Sequence, residues 1–142
     1  MNRDFSVLPQ GCLTFYGMVP SKDSGFLSVE LRDSGTRLFN LEMHPEGRFR
    51  YRDENGNLQE SNVKYEYDKW YQLIIEWDAA ASIWNGYAVI DGKQTALTPE
   101  KGVLFPTASK EKAPSRIQLR LNRAAEGPRV GYVDGFKLFK IE

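Results

Sequence analysis

Short segments in which apolar and polar residues alternate follow one another along most of the chain, separated by turn-forming residues. An alternation with a period of two is typical of β-strands that bury one face. The alternating segments span residues 12–19, 27–32, 38–44, 48–52, 70–77, 87–90, 116–122 and 130–141. No window of three helical turns shows the 3.6-residue period of an amphipathic helix. The pattern predicts about nine or ten strands in an all-β, antiparallel jelly-roll sandwich of two sheets.

Turn signals between these segments predict where the strands reverse direction. Asn55-Gly56 and Asp91-Gly92 are dipeptides that favour two-residue hairpins, since both positions tolerate a positive φ. Pro45-Glu46-Gly47 predicts a further turn. Residues 79–83 are compatible with a loop or one helical turn, and residues 93–114, with three prolines and several lysines, predict a long connection.

Length and composition limit the domain count and the class of partner. The 142 residues, 41% of them hydrophobic, predict one domain spanning 1–142 with a sizeable core. Lys plus Arg and Asp plus Glu number 19 each, so the formal net charge is zero. This balance argues against nucleic acid or an anionic membrane as partner. It also makes self-association easier, so a homo-oligomer is one expectation.

Little in the chain indicates a cellular location. Cys12 is the only cysteine, which excludes an intrachain disulfide but not an extracellular location. No stretch reaches the roughly 18 apolar residues of a membrane span. Met1-Asn2-Arg3-Asp4 lacks the apolar core of a signal peptide, so a secreted protein would need a targeting segment upstream of this chain.

Three of the predicted strands carry a strongly polar second face. Successive side chains of a strand point to opposite sides, so the polar residues of each strand project together. The three sets are Ser28, Glu30 and Arg32, then Asn40, Glu42 and His44, then Arg116, Gln118, Arg120 and Asn122. If the strands are neighbours, these carboxylates, amides and guanidinium groups form one surface suited to sugar hydroxyls. The alternative is the ordinary solvent-facing side of an antiparallel sheet, with Glu–Arg pairs across strands.

Four segments together resemble a known group of domains. They are Gly-Arg-Phe-Arg-Tyr (47–51), Lys-Trp-Tyr-Gln-Leu-Ile-Ile-Glu-Trp-Asp (69–78), Tyr-Ala-Val-Ile-Asp-Gly-Lys (87–93) and Gly-Tyr-Val-Asp-Gly-Phe-Lys-Leu-Phe (131–139). Their order is similar to that of concanavalin A-like lectin/glucanase domains, which include the laminin-G-like modules of bacterial polysaccharide-degrading enzymes. The resemblance covers about residues 11 to 141 and implies a jelly roll and an extracellular or periplasmic location. Because the group contains binding modules, spacers, glycosidases and polysaccharide lyases, it leaves the function open.

Two enzymatic readings remain open within this resemblance. Ser28–Arg32 is similar to a strand of jelly-roll alginate lyases, where an arginine neutralises the uronate carboxylate. Those enzymes also carry a Gln-x-His strand, and here Gln118-Leu119-Arg120 has arginine at the histidine position, so the base that β-elimination needs is missing. Glu30 and Glu42 could act as the paired carboxylates of a glycosidase. The related glucanases carry a Glu-x-Asp-x-x-Glu strand that this sequence lacks.

Several single residues add candidates. Trp84 follows a loop-like stretch and could stack on a sugar ring, or pack beneath its own loop, whereas Trp77 is expected in the core. The resemblance aligns Asp134 with an aspartate that helps to hold a structural Ca²⁺ in several jelly-roll binding families; the alternative is a turn residue. His44 is the only histidine, so no histidine-based zinc site is expected. A basic set could meet uronate-bearing glycans or be a solvated face: Arg48, Arg50, Arg52 and Lys64.

The sequence therefore predicts a non-catalytic carbohydrate-recognition module, either free or part of a multidomain polysaccharide-degrading enzyme. Its ligand would be an oligo- or polysaccharide, and no cofactor besides the Ca²⁺ at Asp134 is expected. The predicted contacts are Glu30, Arg32, Asn40, Glu42, His44, Gln118 and Arg120, with Trp84 as a stacking surface. A small glycoside hydrolase or polysaccharide lyase, and a structural or protein-interaction sandwich, are the alternatives.

Overall fold

Strands dominate the computed structural model, which describes residues 2–23, 25–109, 112–122 and 131–141. The strands are β1 (Asn2–Asp4), β2 (Gln10–Met18), β3 (Phe26–Asp33), β4 (Thr36–His44), β5 (Arg48–Arg52), β6 (Leu58–Lys64), β7 (Tyr71–Asp78), β8 (Ile83–Ile90), β9 (Lys93–Ala96), β10 (Val103–Leu104), β11 (Arg116–Asn122) and β12 (Tyr132–Lys140). A 3-10 helix spans Thr107–Ser109. In the described part of the chain, no helix is long and apolar enough to span a membrane.

The strands form two antiparallel sheets packed as a sandwich. One sheet has the order β1-β11-β3-β4-β5-β6, and the other β10-β8-β7-β2-β12 with β9 paired to β8. Sequence neighbours β3–β4, β4–β5 and β5–β6 are joined by short turns, whereas β11 returns from far along the chain to pair with β3. The predicted all-β jelly-roll architecture is confirmed.

The core lies between the sheets because the apolar side chains of each strand alternate inward. On β2 and β7, Leu13, Phe15 and Ile75 are fully buried. The facing sheet contributes Leu27, Val29, Leu31, Leu41, Met43 and Phe49, each at most 2% exposed. Because these apolar residues point inward, the residues between them on each strand point outward, away from the core.

Trp84 belongs to this core, so the expectation of an exposed stacking surface at this residue is wrong. Its side chain is 1% exposed and stacks on Phe39 with ring centroids 5.2 Å apart. It lies on β8 with the same parity as Ala88, which is also fully buried. Trp77 is buried as expected, with its ring centroid 6.0 Å from that of Phe39.

The turn chemistry is confirmed at one predicted hairpin and differs at the other. Asp91 and Gly92, with φ of 50° and 77°, join β8 to β9 as a two-residue turn. The β5–β6 connection is longer than the expected two residues: the Asp53 N–H donates to the Asn57 carbonyl, which closes a wider loop. Within this loop only Gly56 has a positive φ. The Asp53 carboxylate accepts hydrogen bonds from the backbone of Asn55 and Asn57 and so fixes this wider loop.

Residues 93–114, predicted as a long connection, contain two short strands and a 3-10 helix. The segment forms β9, which pairs with β8, then β10, which pairs with the other end of β8, and then the 3-10 helix. The β10 residue Val103 and the following Phe105 are buried against the core.

Candidate functional site

The three polar sets predicted from the sequence lie side by side on β11, β3 and β4. Gln118 is opposite Glu30, which is opposite Asn40. In the next row Arg120 is opposite Ser28, which is opposite Glu42. Directly opposite residues share a face of a sheet, and the residues between them point into the core. We call this outward surface of the sheet β1-β11-β3-β4-β5-β6 the polar face.

Glu30 is the central anion of the polar face and is 3% exposed. Its Oε2 accepts a hydrogen bond from Arg32 Nη1 at 2.6 Å. Its Oε1 lies 3.6 Å from Arg120 Nε and 3.8 Å from Arg37 Nη1. Arg32 also donates to the Gly35 carbonyl, which fixes its guanidinium group beside the β3–β4 turn. One buried carboxylate thus organises three guanidinium groups.

Glu42 is a second buried carboxylate of the polar face, 4% exposed. Its Oε1 lies 2.9 Å from both Nε and Nη2 of Arg50, so the guanidinium group approaches with two nitrogens. The guanidinium carbon of Arg50 lies 5.7 Å from the centre of the Phe26 ring. Arg50 covers the carboxylate, and the surface therefore presents a guanidinium group where the sequence suggested a glutamate.

Asn40 supports the sheet with both ends of its amide. Its Oδ1 accepts from the backbone N–H of Arg52 at 3.1 Å, and its Nδ2 donates to Ser28 Oγ at 3.5 Å. The side chain is 2% exposed. Of the predicted contact residues, Arg120 is the most exposed, with 47% of its side chain accessible. Glu30, Asn40 and Glu42 hold the polar face in place, Arg120 is exposed, and Gln118 is half-buried beside Glu30 on the same face.

His44 ends β4 at the edge of the polar face. Its Nδ1 accepts a hydrogen bond from the Glu46 N–H at 3.3 Å, and its ring lies 5.8 Å from that of Phe26. Partial burial lowers the pKa of His44 below its ordinary value, and the nearby Arg50 acts in the same direction. Both effects favour the neutral imidazole, whose Nδ1 is the acceptor for Glu46.

The polar face contains arginines that the sequence did not assign to it. Arg50 and Arg52 were predicted only as part of a separate basic set, yet β5 continues the sheet from β4 and places them beside Glu42 and Asn40. The turn predicted at residues 45–47 indicates this placement, because a hairpin there makes β4 and β5 neighbours and sets Glu42 opposite Arg50. The outward position of Arg37 could not be predicted from the sequence pattern. It depends on an irregular register between β3 and β4, which turns Arg37 toward the same side as Arg32.

The remaining members of the basic set lie on the same surface. Arg48 pairs with His44 on one side and Lys64 on the other, and its Nε lies 3.9 Å from Glu60 Oε2. At the opposite end of the surface, Arg37 and Arg52 border an open depression of about 570 Å³. The β5–β6 loop and the 3-10 helix line its other sides. The polar face therefore runs across the whole sheet.

Asp134 lies at an irregularity of β12, where the register with β2 shifts before Lys137. Its Oδ1 accepts from the Gly135 N–H at 2.7 Å, and Gly135 has a φ of 62°. Among the described residues, no group of three or more His, Cys, Asp or Glu side chains could hold a metal ion. Ca²⁺ takes six to eight oxygen ligands, which include backbone carbonyls, and Asp134 is the one ligand that the sequence suggests, so calcium at Asp134 stays a prediction.

Comparison with known proteins gives matches in structure only. No family model matches the sequence, and no curated protein matches it. A sialidase structure aligns with 98% of this chain at a TM-score of 0.67 and 18% identity, but the chain spans 14% of that sialidase chain.

Galectin structures align along their whole length. A tetrameric galectin from the ball sponge Cinachyrella sp. has a TM-score of 0.67 and 13% identity, with 98% of each chain covered. Chicken galectin 2 has a TM-score of 0.62 and 14% identity, with 97% of each chain covered. At these identities the likeness concerns the backbone arrangement, and on that basis the fold is a concanavalin A-like jelly roll.

Proposed function

We propose that the chain is a non-catalytic carbohydrate-binding module and that the polar face is its binding surface. The observation that supports this most directly is the registry of the polar sets on β11, β3 and β4, which gathers guanidinium and amide groups on one continuous surface. Such groups donate and accept hydrogen bonds in fixed directions and suit the hydroxyls of a sugar.

The ion pairs beneath the surface strengthen this proposal. Glu30 and Glu42 are almost completely buried and are held by Arg32 and Arg50 at 2.6 and 2.9 Å. Groups fixed before binding lose little conformational entropy when a ligand arrives. The same covering makes either carboxylate a poor nucleophile or general acid, because both must contact the substrate directly.

We also propose an accessory role outside the cell or in the periplasm, alongside polysaccharide-degrading enzymes. The alignment with 14% of a sialidase chain supports the view that a jelly roll of this size can be one part of a longer protein. A module of this kind would keep an enzyme close to its polymer by raising the effective concentration.

Self-association is a further part of the proposal. β12 is an edge strand and exposes Tyr132, Leu138 and Phe139, 48%, 37% and 48% accessible. Such an edge favours pairing with a second copy of the chain. Light scattering over a range of protein concentrations tests this: a mass that stays at the monomer value at every concentration would contradict it.

Retardation on affinity gels that contain single polysaccharides tests the binding function. Arg120→Ala combined with Gln118→Ala should abolish retardation, because Arg120 is exposed and Gln118 lies opposite Glu30 on the polar face. The matched control is Arg3→Ala, since Arg3 is exposed on β1 but pairs with Ile117 and so points to the other side of the sheet. Retardation equal to wild type in the double variant, or polysaccharide cleavage by the wild-type protein, would contradict the proposal.

A further inference from the structure

The polar face has an excess of positive charge although the chain is neutral. In the described strands it carries eight cationic residues and four anionic ones. They are Arg32, Arg37, Arg48, Arg50, Arg52, Lys64, Arg116 and Arg120 against Asp4, Glu30, Glu42 and Glu60. With 19 residues of each sign in the whole chain, the rest of the protein must carry the compensating negative charge.

The excess is concentrated in a row of arginines across three strands. Arg116 is directly opposite Arg32, and Arg32 is directly opposite Arg37. Like charges in directly opposite positions destabilise a sheet. Asp4 binds Arg116 at one end of the row, and Glu30 lies within 4 Å of both Arg32 and Arg37. Two carboxylates thus face this row and the adjacent Arg120.

Arg37 and Arg120 are the least compensated members of this group. Each lies 3.6 to 3.8 Å from Glu30 Oε1, which is longer than a charge-assisted hydrogen bond, and in the described residues neither has another carboxylate within 4 Å. Both are well exposed, with 38% and 47% of the side chain accessible. Because both approach the same oxygen atom, a single anionic group above it could contact both.

The environment of Arg37 reflects this crowding. Partial burial lowers the pKa of Arg37, Glu30 opposes that shift, and the guanidinium groups of Arg52, Arg32 and Arg120 lower the pKa further. A bound anion would relieve the repulsion among these four arginines.

Resting on the proposed function, we propose that the ligand is an acidic saccharide whose carboxylate or sulfate group binds Arg37 and Arg120. The guanidinium fork matches two oxygens of either group, and Gln118 beside Glu30 supplies amide hydrogen bonds to neighbouring hydroxyls. A single-stranded nucleic acid fits less well, since such sites stack bases on aromatic side chains. Phe26 is the one aromatic residue that the described strands place on the polar face, and it lies beside Arg50 and His44.

Titration calorimetry with matched pairs of polymers tests this inference. One pair is polygalacturonate and its methyl ester, and the other is dextran sulfate and dextran, so the two arms separate carboxylate from sulfate recognition. In at least one pair the acidic member should bind about tenfold or more tightly, and raising the salt concentration should weaken that binding.

Three variants locate the site. Arg37→Gln combined with Arg120→Gln should reduce affinity for the acidic polymer by about tenfold or more. Arg37→Lys combined with Arg120→Lys should retain part of the affinity, since lysine keeps the charge and loses the fork. Arg3→Gln is the control and should bind like the wild type. Thermal unfolding of each variant verifies that the fold is retained.

The outcomes separate this inference from the proposed function. Equal binding of the acidic and neutral members in both pairs overturns the inference and leaves carbohydrate binding intact. No binding to any polymer overturns both. Binding of oligothymidylate as tight as that of the acidic saccharide also overturns the inference, because the face would then recognise charge alone.

Discussion

Replacing Glu30 by glutamine removes the charge that organises the polar face and keeps the shape of the side chain. In the folded protein Arg32, Arg37 and Arg120 all lie within 4 Å of the Glu30 carboxylate, which is 3% exposed. Glutamine leaves these three cations facing one another without the anion. We therefore expect Glu30→Gln to lower the free energy of unfolding.

The magnitude follows from the burial of each partner. A hydrogen bond to a charged group contributes about 1.5–3 kcal/mol, and breaking a buried ion pair costs about 3–5 kcal/mol. Only Arg32, with 15% of its side chain exposed, is buried like Glu30, whereas water screens Arg37 and Arg120. We expect a loss of about 2–3 kcal/mol. At about 2.1 cal/mol/K of unfolding entropy per residue, that loss lowers the Tm by about 7–10 °C.

Urea unfolding and a thermal melt measure this loss. Glu60→Gln is the matched control, since Glu60 is half exposed and lies 3.9 Å from Arg48 on the same sheet. The control should change stability by less than about 0.5 kcal/mol. Added salt should stabilise Glu30→Gln more than the wild type, because it screens repulsion among the arginines. A Glu30→Gln protein as stable as Glu60→Gln would refute this account of the polar face.

Three further expectations concern the core, pH and metal. Trp84→Ala should cost about 3–5 kcal/mol and about 10–17 °C in Tm, measured by thermal unfolding; near-wild-type stability would contradict its burial. Because the folded-state pKa of His44 is lowered, the unfolded chain binds more protons just below pH 6.5, so stability should fall as the pH drops from 6.5 toward the folded-state pKa. His44→Gln should remove that part of the pH dependence in urea titrations. EDTA should leave the Tm unchanged within about 1 °C, and a larger drop reversed by Ca²⁺ would instead support the calcium site predicted at Asp134.

The alternation of apolar and polar residues was sufficient to predict the all-β fold and the residues that β3, β4 and β11 contribute to the polar face. Leu27, Val29 and Leu31 point inward, so Ser28 and Glu30 had to project from the other face of β3. The adjacency of β3 and β4 followed from the turn between them. The pairing of β11 with β3 did not, because it joins residues more than 80 positions apart and depends on the closing of the whole sandwich.

Two residues show where local pattern fails. A strict alternation along β4 would turn Arg37 inward with Phe39 and Leu41, but the irregular register beside Leu38 reverses it. The sequence pattern places Trp84 after a loop-like stretch and outside the strand, which it predicts to begin at Tyr87. The structure begins β8 at Ile83, and the alternation of Trp84, Gly86 and Ala88 then points the indole into the core. Both positions depend on a strand boundary or a bulge, which tertiary pairing decides.

Overall neutrality argued against nucleic acid or an anionic membrane as partner, but neutrality describes the sum of charges and not their arrangement. At physiological ionic strength the Debye length is about 8 Å, so exposed charges on the far side of the sandwich are largely screened at the polar face. A ligand there interacts mainly with the charges within that distance, and these include Arg37 and Arg120 above the single carboxylate of Glu30. The buried glutamate lies within 4 Å of both guanidinium groups but neutralises only part of their charge. A neutral protein can therefore present a surface that attracts acidic ligands.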